Sequence, residues 1–173
     1  MRAFVSVEVP DPRAPDPSTA RSHLTLKFLG EVPNEVVDRL RPLVRAAVAP
    51  CAPFSVELRG VGAFPDPARP RVVWAGVGSG GDELAELAKR VDEAAAIAGI
   101  PSETRPFTAH LTFLRVRGTR DLDRARRWLT EGADRAFGWA EVREVVLNSS
   151  ELRPEGAIHR AVDRFPLAGS LGG

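Results

Sequence analysis

The stretch SHLTLKFLG at residues 22–30 decides the fold, because it returns as AHLTFLRVRG at 109–118. The shared element is His-Leu-Thr followed by an apolar residue. Its two histidines, His23 and His110, lie 87 positions apart in a chain of 173 residues. Repetition at half the chain length predicts two similar lobes, each built around one copy. Both copies alternate polar and apolar residues, as a half-buried strand does, and each is followed by a turn and a helix-like pattern. In the first copy, strict alternation sets Leu24, Leu26 and Phe28 on one face and His23, Thr25 and Lys27 on the other.

Working outward, residues 2–9 read as a strand. PDPRAPDPS at 10–18 holds four prolines in nine positions and reads as a loop. Residues 34–48 carry Val36, Leu40, Leu43, Val44 and Ala47 at helical spacing, with Pro42 predicting a kink or a late start. Strands are expected over 54–61 and 71–77, the second apolar on both faces. A second helix is expected after GSGG at 78–81, with Asp82 as its cap, Gly99 as its stop, and Leu84, Leu87, Val91, Ala94, Ala95 and Ala98 facing inward. A strand over 106–114 precedes a third helix, capped by Thr119 or Asp121 and carrying Leu122, Ala125, Trp128 and Leu129. Strands follow over 139–148 and 157–166. Trp74 and Trp139 read as core residues of their strands. This mixture predicts an α+β fold rather than a doubly wound parallel sheet. Neither a Rossmann nor a P-loop glycine pattern occurs.

Composition narrows the function. With 24 basic and 23 acidic residues the net charge is +1, so bulk charge predicts neither nucleic-acid nor membrane binding. The basic set is almost all arginine, which reads mainly as coding bias. A single cysteine, Cys51, excludes an intrachain disulfide. No apolar run approaches the roughly 18 residues of a membrane span, and the opening MRAFVSVEVPDPR turns acidic and proline-rich too early for a signal peptide. A cytoplasmic location with a reduced thiol is expected. There are three histidines and no tyrosine, so any imidazole chemistry falls to His23, His110 or His159.

On each motif strand the histidine and the threonine two residues on share a face. Two such strands facing each other gather two imidazoles and two hydroxyls around one small volume. A neutral imidazole takes a proton from water and a protonated one gives a proton to a leaving oxygen. The hydroxyls hydrogen-bond non-bridging phosphate oxygens, where charge builds up. That set can open a phosphodiester without a metal. A zinc site would need a third ligand at a characteristic spacing, and none is present. No cofactor is expected.

With both motifs and their flanks in view, the chain resembles the 2H phosphoesterases, specifically the RNA 2′,3′-cyclic phosphodiesterases once called 2′-5′ RNA ligases. MRAFVSVEVP resembles their opening strand, HLTLKFLGEVP (23–33) their first motif region and PRVVWAGV (70–77) their middle strand. PFTAHLTFLR (106–115) resembles their second motif region, and ELRPEGAIHRAVDRFPL (151–167) their closing hairpin. The resemblance implies one bilobal domain over 1–173, with two pseudo-symmetric lobes whose antiparallel sheets flank a central cleft. It implies hydrolysis of RNA 2′,3′-cyclic phosphate ends to 2′-phosphates, with His23 as acid toward O3′ and His110 as base toward water. Thr25, Thr112 and Arg115 would bind phosphate and Phe28 would lie near the nucleoside, with no metal and no cofactor. The implied partners are RNA ends or small cyclic nucleotides, with no membrane, and the chain would be a monomer. Reversible 2′-5′ RNA joining and cyclic-nucleotide hydrolysis are neighbouring reactions. A non-catalytic RNA-end binder is a rival of another class, and the intact His and Thr pairs argue against it.

Two departures stand out. Relatives carry a helix between the first strand and the first motif, where this chain has only PDPRAPDPSTARS (10–22). His159 stands where relatives often have an aromatic such as tyrosine, and reads as surface or hairpin packing. Between Arg115 and Arg127, six arginines face two aspartates. They fit a border to the cleft and a solvated helix face equally well.

Overall fold

The first strand, β1 (Arg2–Pro10), is apolar enough to sit inside a sheet, and Ala3, Val5, Val7 and Val9 are all buried. In the computed structural model, which describes residues 1–16 and 19–171, β1 lies between β2 (Arg21–Glu31) and β7 (Glu144–Arg153). The outer strand beyond β7 is β8 (Gly156–Pro166), giving the order β2-β1-β7-β8. The second sheet has the order β5-β4-β3-β6, from β3 (Phe54–Phe64), β4 (Val72–Val77), β5 (Leu111–Arg115) and β6 (Ala136–Val142). Every pairing in both sheets is antiparallel. The two orders correspond strand for strand, with the motif strands β2 and β5 both outermost. The fold is therefore α+β with two matching antiparallel sheets, as the repeat predicts.

One expected strand, over 139–148, is two. The chain leaves the second sheet at the end of β6, passes Arg143 and enters the first sheet as β7. Apolar residues on both sides of Arg143 hide this break from a single-strand pattern.

Helix α1 (Asn34–Val48) buries Val37, Leu40, Val44 and Val48 and packs on α2 (Gly81–Ile97). Pro42 does not end it: the helix runs through. Pro42 and Asp38 both lie on the exposed side, so the carbonyl freed by the missing N–H can turn to water. Helix α2 starts after Gly80, whose φ of 87° suits glycine, so Asp82 lies in the first turn instead of capping it. There Asp82 and Glu83 sit at the positive end of the helix. Its stop is Gly99 (φ 96°), where the Ile100 N–H bonds the Ala95 carbonyl at 2.9 Å.

Together α1 and α2 cover the first sheet, through β8 and β2. The second sheet is covered by α3 (Thr119–Gly132), whose Ala125, Trp128 and Leu129 pack on Ala63, Val73 and Leu114. Arg117, Arg120, Arg124, Arg126 and Arg127 are exposed. Arg120, Arg124, Arg126 and Arg127 lie on this helix and Arg117 just precedes it, all on the sheet side opposite Thr112 and Trp74, so they do not border the site described below. Between β1 and β2, the described residues form turns with no helix, closed by the Asp11 N–H on the Ala20 carbonyl at 2.9 Å.

Candidate active site

The two motif strands, outermost in their own sheets, lie alongside each other. Cross-strand partners share a face, so the register shows which way each side chain points. Glu8 pairs with His23, Ser6 with Thr25, Val7 with Leu24, Val5 with Lys27 and Phe4 with Phe28. The register shifts at Leu26, a bulge residue with no partner, and the alternation reverses beyond it. Strict alternation is thus wrong from Leu26 onward. Phe28 joins His23 and Thr25 on the face of Phe4, Ser6 and Glu8, and is 65% exposed. Lys27 turns into the protein, where its ammonium meets Asp92 of α2 at 2.5 Å and the Pro101 carbonyl at 3.0 Å.

The second motif does the same thing. Trp74 pairs with Thr112, Val73 with Leu114 and Val72 with Arg115, with a register shift that leaves Phe113 unpaired. The bulge falls one residue after the threonine in both copies. Its effect is also the same: the fifth residue after each histidine, Phe28 in one lobe and Arg115 in the other, returns to the histidine face. His110 immediately precedes β5, which is shorter than the expected 106–114 strand. It reaches the face of Trp74 all the same, with ring centroids 5.1 Å from Phe64 and 6.3 Å from Trp74.

The His110 Nδ1 lies 2.8 Å from the Thr108 carbonyl oxygen. A carbonyl only accepts, so Nδ1 carries a proton and donates, leaving Nε2 free to accept one. Trp74 is not a plain core residue. It lies over Gly62, where any Cβ would come within 2.3 Å of the indole. Trp139 is not core either, being 61% exposed and paired with Glu57. A groove of about 630 Å³ opens beside Trp74, bordered by Gly76, Arg59 and Phe107–Ala109, just ahead of His110.

His23 has a different setting. Its ring lies 4.9 Å from Phe4 and 5.1 Å from His159, the latter edge-on. His159 is itself 4.9 Å from Phe4. The third histidine therefore belongs to this site, contrary to its sequence reading as hairpin packing. Burial pushes His23 down to about 4, reinforced by His159 and Arg13 and opposed by Glu8. Burial lowers His159 as well. Among the described residues, no three His, Cys, Asp or Glu side chains are placed to hold a metal ion.

Arg13 carries no signal in the sequence. Its Nε and Nη2 hold Asp11 at 2.9 and 2.7 Å, while Nη1 donates to the Phe113 carbonyl at 2.9 Å. The guanidinium also lies 5.5 Å from the Phe113 ring centroid. The short loop that stands in place of a helix is thus tied to the bulge of the opposite motif strand. Glu8 is equally silent in the sequence, since both residues reach their partners across the fold.

A profile of the 2′-5′ RNA ligase superfamily matches residues 11–151, which contain both motif strands. The chain belongs to this superfamily. A protein from Aeropyrum pernix named RNA 2′,3′-cyclic phosphodiesterase is 37% identical over 148 residues, covering 86% of this chain and 83% of the relative. The protein of that name from Archaeoglobus fulgidus is 36% identical over 185 residues, covering 95% and 99%. The fold matches TT0787 of Thermus thermophilus with a TM-score of 0.73 and 26% identity, covering 99% of this chain and 100% of the other. It also matches E. coli LigT complexed with NADP+, with a TM-score of 0.70, 26% identity and 96% coverage of each chain. Among the described residues, no helix is long and apolar enough to cross a membrane.

Proposed function

We propose that this chain hydrolyses 2′,3′-cyclic phosphates at RNA ends to 2′-phosphates, without a metal. The observation that carries this is the duplicated bulged strand, which gives each lobe a histidine, a threonine and the second residue after its bulge on one face. The relatives' name agrees with it.

In this reaction water attacks phosphorus opposite O3′. His110 Nε2 accepts the proton of the attacking water, a role suited to a ring held by its Nδ1–H on the Thr108 carbonyl. His23 gives a proton to O3′ as the P–O3′ bond breaks, leaving a 3′-hydroxyl and a 2′-phosphate. Thr25 and Thr112 donate to the non-bridging oxygens, Arg115 offers its guanidinium, and Phe28 offers an exposed ring to the terminal nucleoside. His23 is neutral in the free protein near pH 7. It becomes a competent acid when a phosphate anion enters and favours its charged form.

The test is an RNA with a 2′,3′-cyclic phosphate end, incubated with the protein and a chelator, beside a cyclic mononucleotide. Conversion to the 2′-phosphate is expected, and His23→Ala and His110→Ala should each lower kcat by about 10²- to 10⁴-fold. No product from the native chain would sink the proposal, and loss of turnover on chelation would sink its metal-free form. Turnover of the mononucleotide alone would replace RNA ends with small cyclic nucleotides as the substrate.

A further inference from the structure

The geometry around His23 points to a job for the third histidine. We infer that His159 is a proton relay to His23, passing the leaving-group proton from solvent to the half-buried imidazole. This rests on the acid role proposed for His23.

Three observations converge. First, the His23 and His159 rings meet edge to face at 5.1 Å, on strands at opposite edges of the same sheet. Their side chains must both reach over Phe4 to do so, and Phe4 is within 4.9 Å of each. Second, the two differ in access: His23 is half-buried, while His159 is exposed on β8. Third, the groups facing His23 otherwise supply no proton at neutral pH. Glu8 on β1 is occupied by Arg164 of β8 at 3.2 Å, and Arg164 is shared with Glu144 of β7. Arg13 from the loop is held by Asp11 at 2.7 Å. Ser150, the register partner of His159 on β7, does not titrate in this range.

Two imidazoles this close resist carrying two charges, so the pair acts as one site for one proton. The step balances. His159 takes a proton from water at one ring nitrogen and passes a proton from the other, through one bridging water, to His23. His23 transfers it to O3′, and the proton that His110 removed from the attacking water returns to solvent. A tyrosine or phenylalanine ring at position 159 could pack on Phe4 equally well, but could not cycle a proton near pH 7.

His159→Phe keeps a ring on Phe4 and removes the titrating nitrogens. At pH 7 to 8 its kcat should fall by about tenfold to a hundredfold with KM within about threefold, and the alkaline limb of kcat should move to lower pH. His159→Ala should regain much of the loss in tens of millimolar imidazole, while His23→Ala at the same imidazole should not respond in parallel. A His159→Phe variant whose kcat–pH profile overlays that of the native chain overturns the relay. So does His159→Ala that imidazole fails to rescue while its fold is intact by circular dichroism.

A readout independent of turnover separates this inference from the proposed function. With three histidines, the Cε1–Hε1 resonances can be assigned by single substitutions and titrated with and without inorganic phosphate. The His23 and His159 signals should move together in one coupled step that phosphate shifts to higher pH, and His110→Asn should leave the coupling intact. Independent titrations of the two rings overturn the relay even in an active enzyme. A native chain with no cyclic phosphodiesterase activity but a coupled, phosphate-responsive pair would overturn the proposed reaction alone.

Discussion

Lys27 carries the largest local consequence of a single misplaced side chain. Strict alternation points it at the site, whereas the Leu26 bulge sends it inward to an almost fully covered position, with 4% of its side chain exposed. Its ammonium is held there by Asp92 and by the Pro101 carbonyl, so the pair ties the first motif strand to α2 and to the chain after it. Removing one member of a covered ion pair leaves the other uncompensated. The two members are not equivalent, because Asp92 is 24% exposed and also accepts the Glu103 N–H at 2.9 Å. Asp92→Ala is therefore expected to destabilise the fold by about 3 kcal/mol, and Lys27→Met by clearly less, since methionine fills the same space without stranding a buried cation. Urea unfolding of both variants checks the order, and an equal or reversed order would mean the pair is solvated after all. The two catalytic candidates, by contrast, were legible directly. His23 and His110 are two of three histidines, and the repeat marks them. His159 was not legible because its contact with His23 spans all four strands of a sheet, and no local pattern encodes such a pairing.

At the scale of elements, periodicity located nearly every strand and helix but not where the alternation breaks. A bulge depends on how two strands pair, so SHLTLKFLG read alone cannot reveal that Leu26 is skipped. The same applies to the strand change at Arg143, where both segments are apolar and only sheet membership differs. The repeat does carry a hint in retrospect. A strand whose histidine and fifth-following residue are both functional must contain one extra residue between them, since positions five apart otherwise face oppositely. The second lobe gives a test of this geometry. Gly62 leaves room for the Trp74 indole, which with Phe64 walls in His110. A methyl at position 62 would overlap a rigid ring at 2.3 to 2.9 Å, so Gly62→Ala must push Trp74 off its place. The expected outcome is a loss of kcat of about tenfold or more, with a tryptophan-fluorescence change and a retained cooperative unfolding transition. Unchanged turnover and fluorescence together would show that Trp74 does not position His110.

For the whole molecule, the site makes folding depend on pH in a defined window. His23 titrates near 4 in the folded chain, against an ordinary value of 6.5. The native state thus refuses a proton that the unfolded chain accepts, so stability is full above about pH 6.5. It falls as pH drops toward 4, where the native imidazole finally charges. His159 is lowered too and adds to the same slope. Two carboxylates are also favoured in their ionised form by the fold: Asp11, bonded by Arg13, and Asp92, where burial is outweighed by Lys27 and the Glu103 N–H. Both lie below an ordinary value of 3.8, so the stability they add is present above that value and is lost only under more acidic conditions. The interval between the two His23 values therefore isolates the imidazoles. Urea midpoints measured from pH 7 to pH 4.5 should decline for the native chain, and the decline should shrink in His23→Asn, which keeps a polar side chain but cannot charge. A further reduction is expected on adding His159→Phe, because the two rings share one proton site against Phe4. An identical decline in native and doubly substituted chains would mean that the fold does not lower the proton affinity of this pair. A weakened decline with inorganic phosphate present would follow from the same linkage, since an anion in the site lets the folded state keep the proton that catalysis requires.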